Sequence, residues 1–204
     1  MLDKLKDYPA LAAKTEKDLG SMTMRLMHGC LGIQTEVGEI AETVQLYIFS
    51  SEDTLDKDNV VEEVGDVLWY LAILANSLQL DFDVEEKSVG RLPVAVLSGE
   101  LTILSGRIGD VIKRYAIYNK DIDLTLIQQL LLDTLRVLSS LVLHSESTLL
   151  EAAAQNITKL QKRYPEKYSN QAALARADKN VTVNINDVAE GALIVGHAKT
   201  IILK

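Results

Sequence analysis

The sequence contains a single cysteine, Cys30. One cysteine excludes an intramolecular disulfide and is typical of a protein that works in a reducing compartment. The histidine nearest in sequence, His28, stands two positions before Cys30, and residues two apart on a helix do not face each other. We therefore interpret Cys30 as a small core residue and not as a nucleophile.

The sequence also lacks an excess of positive charge. Its net charge is -8 at pH 7, and its basic residues are neither clustered nor interleaved with aromatic residues. These features argue against a nucleic-acid surface and against binding to an anionic membrane. They leave a nucleotide substrate open, because a divalent cation can bridge carboxylates and phosphate groups.

Long apolar runs are missing as well. The N-terminus has no apolar signal core, and no apolar run approaches the roughly 20 residues that span a bilayer. We therefore expect a soluble cytoplasmic protein without a membrane partner. The chain has 204 residues, of which 48% are hydrophobic, and this is enough for one large or two small domains.

The apolar residues of the first half recur at helical spacing. Ser21 can cap a long helix that runs to about Phe49, and a polar loop follows over residues 50–57. The apolar positions of this helix lie at three- to four-residue steps and predict its core-facing side: Met24, Met27, Leu31, Val37, Ile40, Val44 and Ile48.

A second long helix follows the loop. Asp58 or Asn59 can cap it, with Glu62 as the capping-box partner of Asn59, and its pattern continues to about Leu78. A further capping box over residues 83–86 predicts a short helix that stops before the next proline.

Both long helices carry a pair of acidic residues three positions apart. Glu36 and Glu39 lie on the first helix, and Glu63 and Asp66 lie on the second. This spacing puts both members of a pair on one helix face, one turn apart. Carboxylates among apolar neighbours are costly unless they are paired or bound to a metal. Two such helices side by side predict a site for a hard divalent cation that also binds phosphate.

Each acidic pair also encloses a glycine. Gly38 and Gly65 stand inside predicted helices, where glycine costs up to about 1 kcal/mol relative to alanine. Their repetition indicates a close approach of backbone, of a partner helix or of a ligand at both positions.

The segments around the pairs resemble the MazG-like superfamily of all-α nucleoside triphosphate pyrophosphohydrolases. They read His-Gly-Cys-Leu-Gly-Ile-Gln-Thr-Glu-Val-Gly-Glu over residues 28–39 and Asn-Val-Val-Glu-Glu-Val-Gly-Asp-Val-Leu-Trp-Tyr over residues 59–70. The resemblance covers residues 22–80. It implies an all-α helical bundle that hydrolyses nucleoside triphosphates to monophosphate and pyrophosphate with Mg²⁺ or Mn²⁺.

The resemblance also implies roles for the four carboxylates. Glu36, Glu39, Glu63 and Asp66 would hold one or more cations, and Glu36 or Glu39 would accept the proton of the attacking water. Two other functions stay open at this point. One is hydrolysis of a signalling or modified nucleotide, and the other is non-catalytic nucleotide binding by a helical module.

The second half of the chain reads as a degenerate copy of the first. When residues 105–110 are aligned with the first acidic pair, Arg107 falls on Glu36, and in the following helix Arg136 falls on Asp66. Arginine cannot ligate Mg²⁺, so we predict no metal site in this unit. The alternative is that two unrelated amphipathic helices have some identical or similar residues by chance. The predicted units, of which the first two would pack as an internal pseudo-dimer, are residues 1–92, 93–180 and 181–204.

The end of the second unit carries basic residues. Residues 156–168 resemble the C-terminal segment of the family, with an asparagine, a Lys-Leu pair and Arg-Tyr-Pro. Lys159, Lys162 and Arg163 are therefore candidates for contact with phosphate oxygens. The alternative is a solvated basic helix end that stabilises its own helix dipole.

Candidates for contact with the nucleoside are fewer. His28 precedes Glu36 by two four-residue steps, which predicts that it faces the site, although a structural histidine is the alternative. Trp69, Tyr70 or Tyr164 could stack on a base, and each could instead be a core residue.

The last segment changes character. Residues 181–204 alternate apolar and polar side chains and contain two glycines, which predicts a small β-hairpin. An isolated hairpin is marginally stable, so we expect it to dock on the helical body or on another subunit of a homodimer or larger homo-oligomer.

Overall fold

The computed structural model describes residues 2–49, 54–83, 92–165 and 168–175. Every regular element in these ranges is helical, so the all-α prediction is confirmed. The α-helices are α1 (Tyr8–Ala12), α2 (Met22–Phe49), α3 (Lys57–Leu78), α4 (Val94–Tyr118), α5 (Leu124–Val142), α6 (Leu149–Arg163) and α7 (Asn170–Ala175). Single 3₁₀ turns cover Leu5–Asp7, Ala13–Thr15 and Leu143–Ser145.

The α2–α3 pair is the centre of the bundle. Helix α4 packs on the side of α2 and on α5, while α6 packs along α3, and α1 also lies against α3. The two central helices run antiparallel, since the backbone at Gly29 faces Leu74 and the backbone at Gly32 faces Tyr70. This register brings the acidic pair of α2 opposite the acidic pair of α3.

One continuous core holds these helices together. Its buried apolar side chains come from α1 through α6, including Leu68 and Leu71 of α3, Leu101 of α4 and Leu138 of α5. Burial of each such side chain contributes roughly 1.5–3 kcal/mol. Both predicted units of the chain share this core, and their origin as a tandem repeat stays a prediction.

The core-facing side of α2 differs from the expected one. Met24, Leu31 and Ile48 are exposed by 49%, 56% and 43%, so their assignment to the core was wrong. Leu26 and Ile33 are fully buried instead. Val37, Ile40 and Val44 are buried as predicted, so the predicted stripe is correct in the middle of α2, which packs on both α3 and α4.

The helix caps follow local hydrogen bonding. The Ser21 cap of α2 is confirmed, because the Met24 backbone N–H donates to Ser21 Oγ at 3.2 Å. For α3, the predicted caps at residues 58 and 59 were wrong. Asp56 is the N-cap, and its side chain accepts from the Asn59 backbone N–H at 3.0 Å.

One helical segment is more apolar than expected, since the sequence analysis predicted no apolar run long enough to span a bilayer. Residues Leu124–Ser145 are long and apolar enough to cross a membrane by length and composition alone, with a mean hydropathy of 1.4. Just over half of this segment is buried inside the bundle. Its apolar residues thus serve the core, as in a central helix of a globular protein.

Two predicted elements lie outside the described residues. These are the hairpin over residues 181–204 and nearly all of the short helix predicted after Asp83.

Candidate metal and substrate site

Three carboxylates converge between α2 and α3. One oxygen each of Glu36, Glu39 and Glu63 lies within 4.8 Å of the other two. Glu63 is buried, Glu36 is half-buried and Glu39 is exposed. The antiparallel register of the two helices places these side chains together, as the three-residue spacing had predicted for each helix separately.

Crowding of these groups changes their acidity. Burial, together with the charges of Glu39, Asp66 and Glu36, raises the pKa of Glu63 to about 8. Burial and the charges of Asp66 and Glu39 also raise the pKa of Glu36. Glu63 therefore keeps a proton at neutral pH when no cation is present, and it donates this proton in a hydrogen bond to Glu36.

The fourth carboxylate, Asp66, is held apart from the other three. Asn156 Nδ2 donates to Asp66 Oδ1 at 2.6 Å. Lys159 Nζ donates to Asp66 Oδ1 at 2.7 Å and to Oδ2 at 2.5 Å, and it also reaches Glu62 at 3.3 Å. Burial lowers the pKa of Lys159, but the charges and hydrogen bonds of Asp66 and Glu62 outweigh burial and raise that pKa overall. The ammonium group thus stays charged beside Asp66.

The donor set fits a hard divalent cation. Mg²⁺ and Mn²⁺ prefer carboxylate oxygens, and the three converging groups offer only oxygen. Burial and the neighbouring negative charges together raise the pKa of Glu63. A divalent cation at this point would offset these effects and allow all three carboxylates to ionise.

The acidic group lines a cavity of about 290 Å³. All four predicted carboxylates contribute to its wall, together with side chains from the N-terminal segment and from the end of α6. The other lining residues are Thr15, Lys17, His28, Trp69, Tyr70, Leu160, Arg163, Tyr164 and Tyr168.

Aromatic rings form another part of the cavity wall. The ring centroids of Trp69 and Tyr70 lie 4.9 Å apart, and His28 approaches both of them edge to face at 5.9 and 5.4 Å. Trp69 Nε1 donates to Thr15 Oγ1 at 3.0 Å, which fixes the indole. Burial lowers the pKa of His28, so the ring is neutral. Its Nδ1 atom has no hydrogen-bond partner within the described ranges.

The basic residues of α6 separate into two groups. Arg163 lines the acidic cavity, beside the ring of Tyr164. Lys159 contacts Asp66 at the edge of that cavity. Lys162 is exposed, lines a depression on α6 together with Lys159, and does not line the acidic cavity. Only two of the three predicted phosphate contacts thus lie near the acidic residues.

The glycines have different environments. A Cβ at Gly65 would lie 3.0 Å from the Ala152 carbonyl oxygen and 3.0 Å from Asn156 Cβ, so this glycine permits the close approach of α6 to α3. At Gly38 a Cβ would meet nothing within 4 Å among the described residues, so the predicted close approach of backbone or of a partner helix was wrong there, and a close approach of a ligand stays a prediction. The sequence analysis gave no role to Gly32. The ring of Tyr70 occupies the space in which a Cβ at this position would lie.

The sequence reading missed several residues near the site. Thr15 and Lys17 line the cavity from the segment before α2, and Tyr8 lies behind Asn156. No local pattern marks these three residues, because they reach the site only through the packing of the N-terminal segment on α3. Tyr168 also lines the cavity, and it ends the segment that resembles the C-terminal part of the family.

Part of the chain matches a known protein family. A family model described as the MazG nucleotide pyrophosphohydrolase domain matches residues 30–90. The matched part contains both acidic pairs and the aromatic residues Trp69 and Tyr70. No curated protein and no solved structure matches the chain.

Proposed function

Because residues 30–90 match the model of the MazG nucleotide pyrophosphohydrolase domain, we propose that the chain is a Mg²⁺-dependent nucleoside triphosphate pyrophosphohydrolase. Its products would be a nucleoside or deoxynucleoside monophosphate and pyrophosphate. The observation that carries the proposal is the convergence of Glu36, Glu39 and Glu63 in a cavity with aromatic walls. A nucleotide-pool or phage nucleotide-metabolism role in the cytoplasm is consistent with this activity.

In this proposal, Glu36, Glu39, Glu63 and Asp66 hold Mg²⁺, for which Mn²⁺ could substitute. A bound cation supplies neutralisation of the triphosphate charge and a water of lowered pKa. Glu36 or Glu39 accepts the proton of the attacking water. The water oxygen bonds to the α-phosphorus, the bond to the bridging oxygen of the β-phosphate breaks, and pyrophosphate leaves with that oxygen.

The cavity wall supports an orientation for the substrate. Trp69 follows Asp66 by three residues on α3, an axial rise of about 5 Å along a helix. We assign the base to the ring cluster of His28 and Trp69, while the phosphates face the carboxylates. Lys159 and Arg163 supply positive charge from α6. Lys162 is the weakest of the phosphate candidates because it is exposed and does not line the acidic cavity.

We also propose one site per chain. In the second unit, Asp133 pairs with Arg136 at 2.6 Å, and Asp110 pairs with Lys113 and Arg114 at 2.7 Å. In the alignment of the two units, Asp110 falls on Glu39 and Asp133 falls on Glu63, so both of these carboxylates have cationic partners on their own helices. This supports the view that α4 and α5 are a degenerate copy that packs against a single active unit.

The test is pyrophosphate release from a panel of ribo- and deoxyribonucleoside triphosphates with Mg²⁺ or Mn²⁺. We expect release from the wild-type protein, and we expect Glu39→Gln to lose most of it with unchanged helix content. Glu42→Gln, one turn further along α2 and outside the cavity lining, is the matched control. Wild-type pyrophosphate release by Glu39→Gln would contradict the assignment. Nucleotide binding without hydrolysis would favour a binding module, and release only from a modified or signalling nucleotide would favour that substrate class.

A further inference from the structure

Behind the acidic cavity, a chain of buried hydrogen bonds leads from α1 to Asp66. We propose that Tyr8 is a positioning residue, which orients the Asn156 amide and through it the Asp66 carboxylate. The proposal rests on the proposed cation site, because Asp66 is one of its assigned ligands. Tyr8 itself lies outside the part of the chain that matches the MazG domain.

The first link is between Tyr8 and Asn156. Tyr8 is 0% exposed, and its hydroxyl lies 2.9 Å from Asn156 Oδ1 and 3.4 Å from the Gly65 carbonyl oxygen. Burial, with the charge of Asp66 as the second cause, raises the pKa of Tyr8 well above its usual range. The phenol therefore stays protonated, and it donates to an acceptor on α6 or on α3.

The second link fixes the orientation of the amide. An ionised carboxylate can only accept hydrogen bonds, so the amide must turn its Nδ2 toward Asp66. That bond is 2.6 Å long, and Asn156 is only 3% exposed. The Tyr8 hydroxyl occupies the other end and donates to Oδ1. A flipped amide would set Oδ1 against the carboxylate, so the bond to Asp66 would be lost, and the Tyr8 hydroxyl could no longer donate to Oδ1.

The third step concerns Asp66. Lys159 contacts both of its oxygens, whereas Asn156 contacts only Oδ1. A lysine side chain is long and has many rotamers, so it restrains a carboxylate loosely. The short and buried Asn156 side chain restrains Oδ1 in one place. The orientation of the Asp66 carboxylate thus depends on the amide and on Tyr8 behind it, in addition to Lys159.

Tyr8→Phe separates this role from packing. The ring also packs on Phe82, with centroids 6.2 Å apart, and phenylalanine keeps that contact. We expect the substitution to weaken Mn²⁺ binding by about fivefold, which corresponds to about 1 kcal/mol at 1.4 kcal/mol per factor of ten. Tyr115→Phe, which removes a hydroxyl from a partly buried tyrosine of α4 outside the site, is the matched control.

The measurement is Mn²⁺ affinity of the full chain, from the electron paramagnetic resonance signal of free Mn²⁺, with thermal unfolding recorded in parallel. Asn156→Leu provides a second variant that removes the middle of the chain of bonds. We expect Asn156→Leu to weaken binding at least as much as Tyr8→Phe. We expect Tyr8→Phe to have little further effect in the Asn156→Leu background, because the hydroxyl acts through the amide.

Four outcomes overturn the inference. Equal Mn²⁺ affinity of the wild-type protein and Tyr8→Phe shows that the hydroxyl does not position the site. Equal losses in Tyr8→Phe and Tyr115→Phe show a general effect of hydroxyl removal. Additive losses with Asn156→Leu show that the hydroxyl does not act through the amide. Absence of Mn²⁺ binding by the wild-type protein removes the proposed cation site, and the inference falls with it. A selective, non-additive loss supports the positioning role.

Discussion

Glu63→Gln removes the carboxyl whose pKa rises from 4.5 to about 8 in the folded protein. A group with a folded pKa above its unfolded value stabilises the fold below the unfolded pKa, and this contribution disappears as pH rises through the folded pKa. The metal-free protein should therefore lose stability between pH 4.5 and pH 8, where ionised Glu63 must share its surroundings with Glu36 and Asp66. Glutamine cannot ionise, so the variant should lack this component.

The magnitude follows from the pKa. One pKa unit corresponds to about 1.36 kcal/mol, so a rise from 4.5 to about 8 sets an upper bound near 5 kcal/mol. Glu63 lines a cavity that admits water, and screening reduces the effect. We expect a difference in the pH dependence of wild-type and Glu63→Gln unfolding of about 2 kcal/mol between pH 5 and pH 9.

Denaturant unfolding in EDTA at several pH values measures this difference, with Glu42→Gln as the control for loss of an exposed carboxylate on α2. Saturating Mg²⁺ should reverse the trend for the wild-type protein, because cation ligands must be deprotonated and binding strengthens as pH rises. A wild-type stability that is flat between pH 5 and pH 9 would refute the reasoning, as would the same slope in Glu63→Gln.

Two further predictions concern α2 and α6. Gly32→Ala would place a Cβ 2.2 Å from the Tyr70 ring and should cost roughly 1–3 kcal/mol in the free energy of unfolding, whereas Gly38→Ala should stabilise α2 by up to about 1 kcal/mol. Urea unfolding compares the two, and equal effects would argue against this packing. Lys159→Met should lower kcat/KM about tenfold or more, because a charge-assisted bond to Asp66 is lost, and Lys162→Met should have a much smaller effect. Steady-state pyrophosphate release checks this pair, and a larger loss in Lys162→Met would reverse the assignment.

The acidic pairs could be predicted because their geometry is local. A three-residue spacing fixes the face of a helix whatever surrounds it. The antiparallel contact between Gly32 and Tyr70 then sets the register that brings Glu36 to Glu63. The resemblance to a known family pointed to the same residues, and the family match to residues 30–90 agrees with it.

Other features could not be predicted because several residues in the sequence could fill the same structural role almost equally well. Asp56, Asp58 and Asn59 can each cap a helix, and the backbone conformation before Lys57 selects Asp56. The exposure of Leu31 could not be read from one helix alone. It depends on which faces of α2 the helices α3 and α4 cover.

The partners of Asp66 were the hardest to anticipate. Asn156 and Lys159 stand 90 and 93 positions away in sequence. Tyr8 and Asn156 are separated by 148 positions, so their bond joins opposite ends of the described chain. Pairings over such distances are set by tertiary packing and leave no periodic pattern in the sequence.

These long separations have a consequence for biosynthesis. The ribosome synthesises both acidic helices well before α6. A nascent chain at that stage contains the four carboxylates but not yet Lys159 and Asn156, which contact Asp66. Contacts between distant parts of a chain are commonly made late in folding. Competence for chemistry would thus be acquired at the end of folding, after most of the helical structure exists.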